Sequence, residues 1–269
     1  MRMNFLNKNI LITGASSGIG LQLAKDLANV DCTLILTARR YENLLNIRQE
    51  LNHKSAKIII YKNNVAEKQD VRKVYSAIKE NMNKIDIAFL NAGTNSKLMP
   101  DAFSAEDAEI TYGANLFGII YWAELLIKEM KSRNDGMIIG VTSLADARGF
   151  SKNGFYSSSK VAASTLLESM RVDLIKHNIK VITVKPGFVR TPMTAANNFY
   201  MPFLMNVETA SKIILSGIKK EKRVIRFPFL TTAGTVLLKL TPNFIYDRLS
   251  VGLRNSGEKL KENEKSKNN

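Results

Sequence analysis

Cysteine and histidine, the side chains that most often form crosslinks or bind transition metals, are scarce in this 269-residue sequence. With Cys32 as its one cysteine, the chain cannot form an intrachain disulfide. Its two histidines, His53 and His177, lie far apart and lack the spacing of metal ligands. The sequence therefore predicts metal-free chemistry in a reducing, cytoplasmic setting.

An apolar signal segment is also lacking at the start of the sequence. Residues 1–9 are few and polar, and the first apolar run, Ile10 to Thr13, leads directly into a glycine loop. A secretory signal needs an apolar stretch of about 7–15 residues. We therefore expect a cytoplasmic protein, with peripheral contact to a membrane as an open alternative.

Negative charge is under-represented: 24 Asp and Glu residues stand against 39 Lys and Arg, which gives a net charge of +15. Such an excess attracts phosphates, nucleic acids or anionic membranes. The basic residues are scattered and are not gathered into one run with interleaved aromatics, which favours an ordinary solvated basic surface. We expect no specific binding of nucleic acid.

Apolar residues make up 45% of the chain, and many of them form short β-branched runs between stretches of helical period. These runs predict seven strands, at Asn9–Thr13, Thr33–Ala38, Lys57–Tyr61, Ile85–Leu90, Met137–Thr142, Lys180–Val184 and Val224–Phe227. The stretches between them predict helices at about Gly18–Asn29, Tyr41–Asn52, Glu67–Met82, Glu106–Lys131, Phe155–His177 and Val207–Lys219. Because apolar strands alternating with helices build a parallel sheet covered on both faces, the predicted fold class is α/β, a Rossmann-type doubly wound parallel sheet.

No stretch of about 12 or more residues has the character of an interdomain linker, so we predict one domain over residues 1–254. Residues 255–269 are rich in Lys, Glu, Asn and Ser, and predict a disordered tail.

A glycine-rich loop joins the first strand to the first helix. Glycines there permit a tight turn and a close backbone approach, while the free N–H groups of the helix start attract a pyrophosphate. The spacing is G-x-x-x-G-x-G and not the commoner G-x-G-x-x-G, but the strand before it and the helix after it support a dinucleotide site. The candidate cofactor-binding residues of this loop are Gly14, Ser16, Ser17, Gly18, Ile19 and Gly20.

An acidic residue that would bind the ribose 2′-hydroxyl of NAD is absent from the end of the second strand. Arg39 and Arg40 stand there instead. Guanidinium groups suit a 2′-phosphate through their charge and forked donors. The predicted cofactor is therefore NADP(H).

Tyr156 and Lys160 lie four residues apart in a predicted helix, so their side chains share one face. A neighbouring ammonium would lower the pKa of the tyrosine and make it a usable acid and base at neutral pH. Ser143 follows the fifth strand, at the edge of the sheet where ligands bind. Asn115 lies between two glycines inside a predicted long helix, which indicates a local irregularity. An exposed Tyr/Lys pair and a surface asparagine are the alternatives.

With these residues in place, the sequence from about Ile10 to Thr191 resembles the short-chain dehydrogenase/reductase family. The matching motifs are the TGxxxGxG loop at Thr13–Gly20, the NAG element at Asn91, Ala92 and Gly93, the catalytic tetrad Asn115, Ser143, Tyr156 and Lys160, and the segment Pro186, Gly187, Val189 and Thr191.

The resemblance implies a carbonyl/alcohol oxidoreductase in which Tyr156 transfers the proton and Ser143 stabilises the substrate oxygen. Lys160 would acidify Tyr156 and bind the nicotinamide ribose, and Asn115 would position a water. The segment from Pro186 to Thr191 would contact the nicotinamide. The family also favours a homodimer or homotetramer built on the long helices.

Two positions depart from the family pattern. Leu90 stands before Asn91 where the family often has a second asparagine, and Asn64 stands before Val65 where it often has aspartate near the adenine. An amide oxygen of Asn64 can still accept a hydrogen bond from the adenine amino group. We therefore keep Asn64 and Val65 as cofactor-binding candidates.

Residues 192–210 occupy the place of the family's substrate lid and contain large apolar side chains. They either line a pocket for a bulky apolar or lipid-like substrate or pack the lid onto the body. The apolar segment 224–253 completes the pocket or a subunit interface in one interpretation and contacts a membrane surface in the other. The alternative function is a non-catalytic NADP(H)-binding regulator.

Overall fold

In the computed structural model, which describes residues 3–95, 103–197 and 201–251, seven strands form one sheet of order β3-β2-β1-β4-β5-β6-β7. The strands are β1 (Asn9–Thr13), β2 (Thr33–Ala38), β3 (Lys57–Lys62), β4 (Ile87–Leu90), β5 (Gly136–Val141), β6 (Ile179–Pro186) and β7 (Val224–Phe227). Every neighbouring pair is parallel. The predicted α/β parallel sheet is confirmed.

The helices follow the predicted alternation with the strands. They are α1 (Gly18–Leu27), α2 (Tyr41–Leu51), α3 (Lys68–Asn81), α4 (Ala105–Tyr112), α5 (Gly118–Arg133), α6 (Gly154–Leu174), α7 (Pro192–Ala195), α8 (Val207–Lys219), α9 (Phe229–Leu240) and α10 (residues 243–251). The sequence predicted no helices at α7, α9 and α10, because α7 is a single turn and because Pro228 and Pro242 interrupt the apolar segment that contains the other two.

The sheet separates two apolar layers. Alternate residues of β1 point to opposite faces: Ile10 and Ile12 belong to the layer under α1, α2 and α8, and Leu11 belongs to the layer under α3, α5 and α6. All three are fully buried. Continuous apolar strands of this kind are expected where helices cover both faces of the sheet.

The long helix predicted over Glu106–Lys131 is interrupted. Helix α4 passes through a π-helical turn, Gly113–Phe117, into α5. By length and composition alone, the helical stretch Ala105–Arg133 could cross a membrane. Its buried residues, Trp122 and Leu126 among them, pack into the layer beside the sheet, as expected of a core helix.

The order of the strands reverses between β1 and β4, which come from the two halves of the fold. In open parallel sheets, ligands bind outside the carboxyl ends of the strands at this reversal. The glycine loop follows β1, Asn91 follows β4 and Ser143 follows β5. The topology therefore brings these sequence-distant motifs to one edge.

The predicted lid lies partly outside the described residues, and the predicted tail lies wholly outside them. The lid segment 192–210 is described except for 198–200, and its last residues, 207–210, form the first turn of α8. The tail predicted at 255–269 lies beyond the described residues.

Candidate active site

The glycine loop is packed so closely that side chains would not fit. Gly14 has φ of +67°, and a Cβ there would lie 2.8 Å from the Cα of Ala92. A Cβ on Gly20 would lie 2.5 Å from the Gly14 oxygen. Gly18 also has positive φ, +57°, at the first position of α1. The loop therefore presents bare backbone next to the helix N-terminus, with Ile19 partly buried in its first turn.

Asn91 holds the glycine loop against the end of β4. Its side-chain Nδ2 donates to the Thr13 oxygen at 3.0 Å, and its backbone N donates to the Thr13 hydroxyl at 3.0 Å. The same hydroxyl accepts from the Ala92 backbone N at 3.1 Å. Asn91 and Ala92 thus set the shape of the loop. The sequence identified these residues by their motif, but it did not show that they bind Thr13.

The two arginines after β2 lie beside the glycine loop. The guanidinium of Arg40 donates to the Ser17 hydroxyl at 2.8 Å and to the Ser16 hydroxyl at 3.2 Å. Arg39 lines a cavity of about 590 Å³ together with Lys62 and Lys73. Both arginines are exposed. A cluster of cations therefore lies at the end of β2, where a 2′-phosphate would need it.

Asn64 lines the same cavity after β3, and its amide oxygen accepts from the Ala66 N at 3.3 Å. That oxygen has a second lone pair for a ligand. Val65 is buried beneath it, against Gly118. Asp70, which sequence reasoning missed, accepts the Asn64 backbone N–H at 2.5 Å and fixes this turn.

Ser143 and Tyr156 meet beyond the end of β5. Ser143 precedes a short 3-10 turn, Leu144–Asp146, and its hydroxyl accepts from the Ala145 N at 3.1 Å. Tyr156 lies in the first turn of α6. Burial raises the pKa of Tyr156, a hydrogen bond to Ser143 lowers it, and the Asp146 carboxylate raises it again.

Lys160 lies one turn further along α6, on the face of Tyr156, as the spacing predicted. Lys160 is 4% exposed, and its ammonium lies 5.5 Å from the centre of the Tyr156 ring and donates to the Val141 oxygen at 3.3 Å. Burial lowers the pKa of Lys160 to about 8.

The pKa of Tyr156 does not fall below its usual value, as the sequence had predicted it would. The net direction for Tyr156 is upward, because removing the phenolate from water outweighs the stabilising contacts. The sequence showed that the two side chains share a face, but not how far each is removed from water.

Asn115 lies within the π-helical turn and is fully buried. Its side chain accepts from the Thr94 N at 2.8 Å and donates to the Thr94 oxygen at 2.9 Å and to the Ser159 hydroxyl at 3.0 Å. A Cβ on Gly93 would lie 2.8 Å from Asn115 Oδ1 and 3.3 Å from the Lys160 ammonium. The irregularity predicted around Asn115 is present, and it ties the segment after β4 to α6.

The segment after β6 lies against the same edge. Gly187 donates its N–H to the Phe227 oxygen at 2.7 Å, and the Pro186 oxygen faces the Ser143 hydroxyl at 3.5 Å. Val189 is buried and pairs with Met205 across the base of the lid. Thr191 caps α7, and its methyl group would lie 3.2 Å from a Cβ on Gly18.

A partly buried ion pair lies under this edge and was missed by sequence reasoning. The Lys185 ammonium is 2.5 Å from the Asp146 carboxylate, which also accepts from the Ser164 hydroxyl at 2.5 Å. The pair joins the end of β6 to the turn that follows Ser143. No local pattern marks it, because the partners are 39 residues apart in sequence.

The sequence is similar to those of known oxidoreductases. The family model described as short chain dehydrogenase matches residues 8–199. An uncharacterised oxidoreductase of Myxococcus xanthus is 32% identical over 251 residues, covering 92% of this chain and 98% of that protein. A fatty acyl-CoA reductase of Acinetobacter baylyi is 27% identical over 255 residues, covering 93% and 86%.

Solved structures share the fold. A short-chain dehydrogenase/reductase from Burkholderia phymatum in complex with NAD has a TM-score of 0.80 at 21% identity, covering 87% of this chain and 94% of that chain. A short-chain dehydrogenase from Sphingobium yanoikuyae in complex with NADPH has a TM-score of 0.77 at 22% identity, covering 88% and 97%. These neighbours include complexes with either cofactor.

Proposed function

Because this chain belongs to the short-chain dehydrogenase/reductase family, and is thereby an oxidoreductase, we propose that it interconverts a carbonyl and an alcohol by NADP(H)-dependent hydride transfer. The convergence of Ser143, Tyr156 and Lys160 beside the glycine loop carries this proposal. A non-catalytic regulator that binds NADP(H) would have no need of all three side chains.

The residues present fit a dinucleotide phosphate. The loop around Gly14 and Gly20 leaves no room for side chains, so a pyrophosphate could approach its backbone. The cations of Arg39 and Arg40 suit a 2′-phosphate. When bound, NADP(H) supplies or accepts the hydride; the protein supplies position, charge and a proton.

In the reductive direction, the Tyr156 hydroxyl donates a proton to the carbonyl oxygen of the substrate. The Ser143 hydroxyl donates a hydrogen bond to the same oxygen and stabilises the charge that develops on it. Lys160, with its ammonium near the Tyr156 ring, stabilises the phenolate left behind. Asn115 keeps the segments that carry these groups in register and holds a water for the proton relay.

The raised pKa of Tyr156 favours reduction at neutral pH. The phenol keeps its proton at pH 7 and is ready to donate it, whereas alcohol oxidation would need the phenolate first. We therefore expect carbonyl reduction to be faster than alcohol oxidation at pH 7 and the oxidation rate to rise with pH. Initial rates in both directions between pH 6 and 10 would measure this.

The substrate we propose is a bulky apolar or lipid-like carbonyl compound. Met193 and Phe203 in the lid segment are 41% and 53% exposed, so they are free to contact a ligand. The similarity to a fatty acyl-CoA reductase supports this class. NADPH consumption across ketones, aldehydes and long-chain acyl carbonyls would identify the substrate class.

Replacing Tyr156 with Phe tests the mechanism. The variant lacks the transferable proton, so turnover should fall by at least about 100-fold while NADPH binding is nearly unchanged. Tyr112→Phe is the matched control, because its hydroxyl donates to the exposed Ser158 hydroxyl on α6 and not to a residue of the catalytic group among those the structure describes. Unchanged turnover in Tyr156→Phe would refute the mechanism. NADPH binding by the parent without turnover of any carbonyl would favour the regulator instead.

We also propose a homodimer or homotetramer built on α5 and α6. Phe117, in the turn before α5, and Val161 and Val172 on α6 are 43%, 42% and 65% exposed. Apolar side chains on neighbouring helices suit a symmetric contact. Sedimentation of the parent and of Val172→Asp would measure the oligomeric state.

A further inference from the structure

Helix α9 has an inverted amphipathic pattern. Its half-buried side carries three threonines, Thr231, Thr232 and Thr235, and one leucine, Leu238. Its outward side carries large apolar residues: Phe229, Leu230, Val236, Leu237 and Leu240 are 82%, 57%, 53%, 69% and 77% exposed. A helix that only packs onto a protein body shows the opposite arrangement. The outward side therefore needs something apolar to cover it.

Helix α10, which follows α9 after Thr241 and Pro242, carries further exposed apolar residues. Its Phe244, Leu249 and Val251 are each more than half exposed. We call these three residues and the five outward residues of α9 the apolar face. Monomeric soluble proteins seldom expose large contiguous apolar patches without a binding role.

The apolar face is built on anchored helices. A Cβ on Gly187 would lie 3.1 Å from Pro228 at the start of α9. In α10, the Tyr246 hydroxyl donates to the Gly149 oxygen at 2.9 Å, and the Arg148 guanidinium lies 4.2 Å from the centre of the Tyr246 ring. Both helices are thereby fixed to the segments that flank the active site.

Cations lie beside α9, on the side of the helix that carries its threonines. Thr232 of α9 lines a cavity of about 530 Å³ together with Lys212, Lys220, Lys222 and Arg226. Two further cations, Lys239 and Arg248, lie on α9 and α10 themselves. Apolar side chains flanked by Lys and Arg are typical of helices that lie in the interface of an anionic membrane.

The charge of the chain decides between a membrane and a second copy as the occupant. A second copy docked at this face would bring the same local cations against those beside α9 and on α10, whereas anionic lipid headgroups would neutralise them. We propose that the apolar face docks onto an anionic lipid surface, with the cavity lined by Lys212, Lys220, Lys222 and Arg226 facing the headgroup phosphates.

Docking in this way would bring the active-site edge close to the lipid. Helix α9 contacts the turn Leu144–Asp146 after Ser143, as well as Gly187. A lipid-like substrate could then reach the site from the membrane. The docking itself does not depend on the reaction proposed above, since its evidence lies outside the catalytic residues.

Co-sedimentation with vesicles tests the proposal. Vesicles of phosphatidylcholine alone are compared with vesicles that also contain phosphatidylglycerol, each at low and at physiological salt. The full chain should bind the anionic vesicles in both conditions, less tightly at higher salt, and bind the neutral vesicles weakly. The double variant Leu237→Gln/Leu240→Gln should bind anionic vesicles about 10-fold or more weakly. Lys222→Gln/Arg226→Gln should lose affinity mainly at low salt, where electrostatic attraction is strongest.

Ile175→Gln is the matched control, because Ile175 is 65% exposed in the turn before β6, at the edge of the sheet opposite the strand ends that α9 follows. Its vesicle binding should equal that of the parent. NADPH binding by each variant shows that it is folded. Absence of parent binding to anionic vesicles would overturn the proposal, as would unchanged binding by Leu237→Gln/Leu240→Gln. The proposal is also wrong if neither the parent nor any variant binds vesicles and the parent is an oligomer that Leu237→Gln/Leu240→Gln converts to a monomer. In that case a second copy covers the apolar face.

Discussion

The buried ammonium of Lys160 destabilises the fold, and replacing Lys160 with Met should show by how much. Burial lowers the pKa of this group from 10.5 to about 8. Each pH unit between these values corresponds to about 1.4 kcal/mol. Keeping the charged group inside the folded protein at pH 7 therefore costs roughly 3 kcal/mol relative to the unfolded chain.

Methionine has a similar length and no charge, so Lys160→Met removes this cost. It also removes the hydrogen bond from the ammonium to the Val141 oxygen, which is worth about 1 kcal/mol. The net expectation is a variant that is roughly 2 kcal/mol more stable at pH 7. It should nevertheless lose turnover and bind NADPH less tightly, because Lys160 acts on both Tyr156 and the cofactor. Substitutions at functional sites often raise stability while they lower activity.

The pH dependence has a definite sign. Between pH 8 and 10.5 the unfolded chain holds the Lys160 proton and the folded chain has released it, so the parent gains stability as pH rises through this window. Below pH 8 the cost is present in full. The advantage of Lys160→Met should therefore be constant below about pH 8 and shrink to zero or slightly below by about pH 10.

Urea unfolding of the cofactor-free parent and variant at pH 7, 8, 9 and 10 would measure these differences. Lys176→Met is the control, since Lys176 is exposed and its replacement should show no such window. A Lys160→Met variant no more stable than the parent at pH 7 would refute the reasoning, as would a stability difference that does not change with pH.

Three further substitutions test other parts of the site. Arg39→Gln should weaken NADPH binding about 10-fold or more and leave NADH binding nearly unchanged, as measured by fluorescence titration. Arg48, which is also exposed, provides the control: an equal loss of NADPH affinity in Arg48→Gln would contradict a specific phosphate contact of Arg39. Gly20→Ala places a Cβ 2.5 Å from a backbone oxygen of the same loop. It should therefore impair cofactor binding more than 10-fold, and tight binding would show that the loop tolerates a side chain. Lys185→Met leaves the partly buried Asp146 carboxylate without its cation. Roughly 3 kcal/mol of stability should be lost in urea unfolding, and an unchanged midpoint would show that the pair contributes nothing net.

Several features of the site follow from short-range sequence. The bounds of β1, β2 and β7 match the predicted runs, because a continuous apolar β-branched run is a local signal. The glycine spacing predicts a cofactor loop, since only glycine fits where Gly14 meets Ala92. The Gly113–Asn115 context predicts an irregular helix because an asparagine between glycines is a poor helical segment.

Other features depend on contacts between residues distant in sequence. Asn91 bonds to Thr13 across 78 positions, and the Asn115 side chain bonds to Thr94 and Ser159. No spacing rule reveals such partners, because they meet only after the strands have paired. The same holds for the ion pair of Asp146 with Lys185, which joins two strand ends in the assembled sheet.

The sequence by itself determined the parallel α/β sheet, the glycine loop and which side chains could carry the chemistry, because these depend on periodicity, spacing and residue type. Only the tertiary structure decided the protonation behaviour of Tyr156 and Lys160, because loss of solvent depends on everything that packs around a group. It also decided which way α9 faces. Its apolar residues repeat with helical spacing in the sequence, but the packing of its threonine side onto the protein leaves Phe229 and Leu237 in solvent.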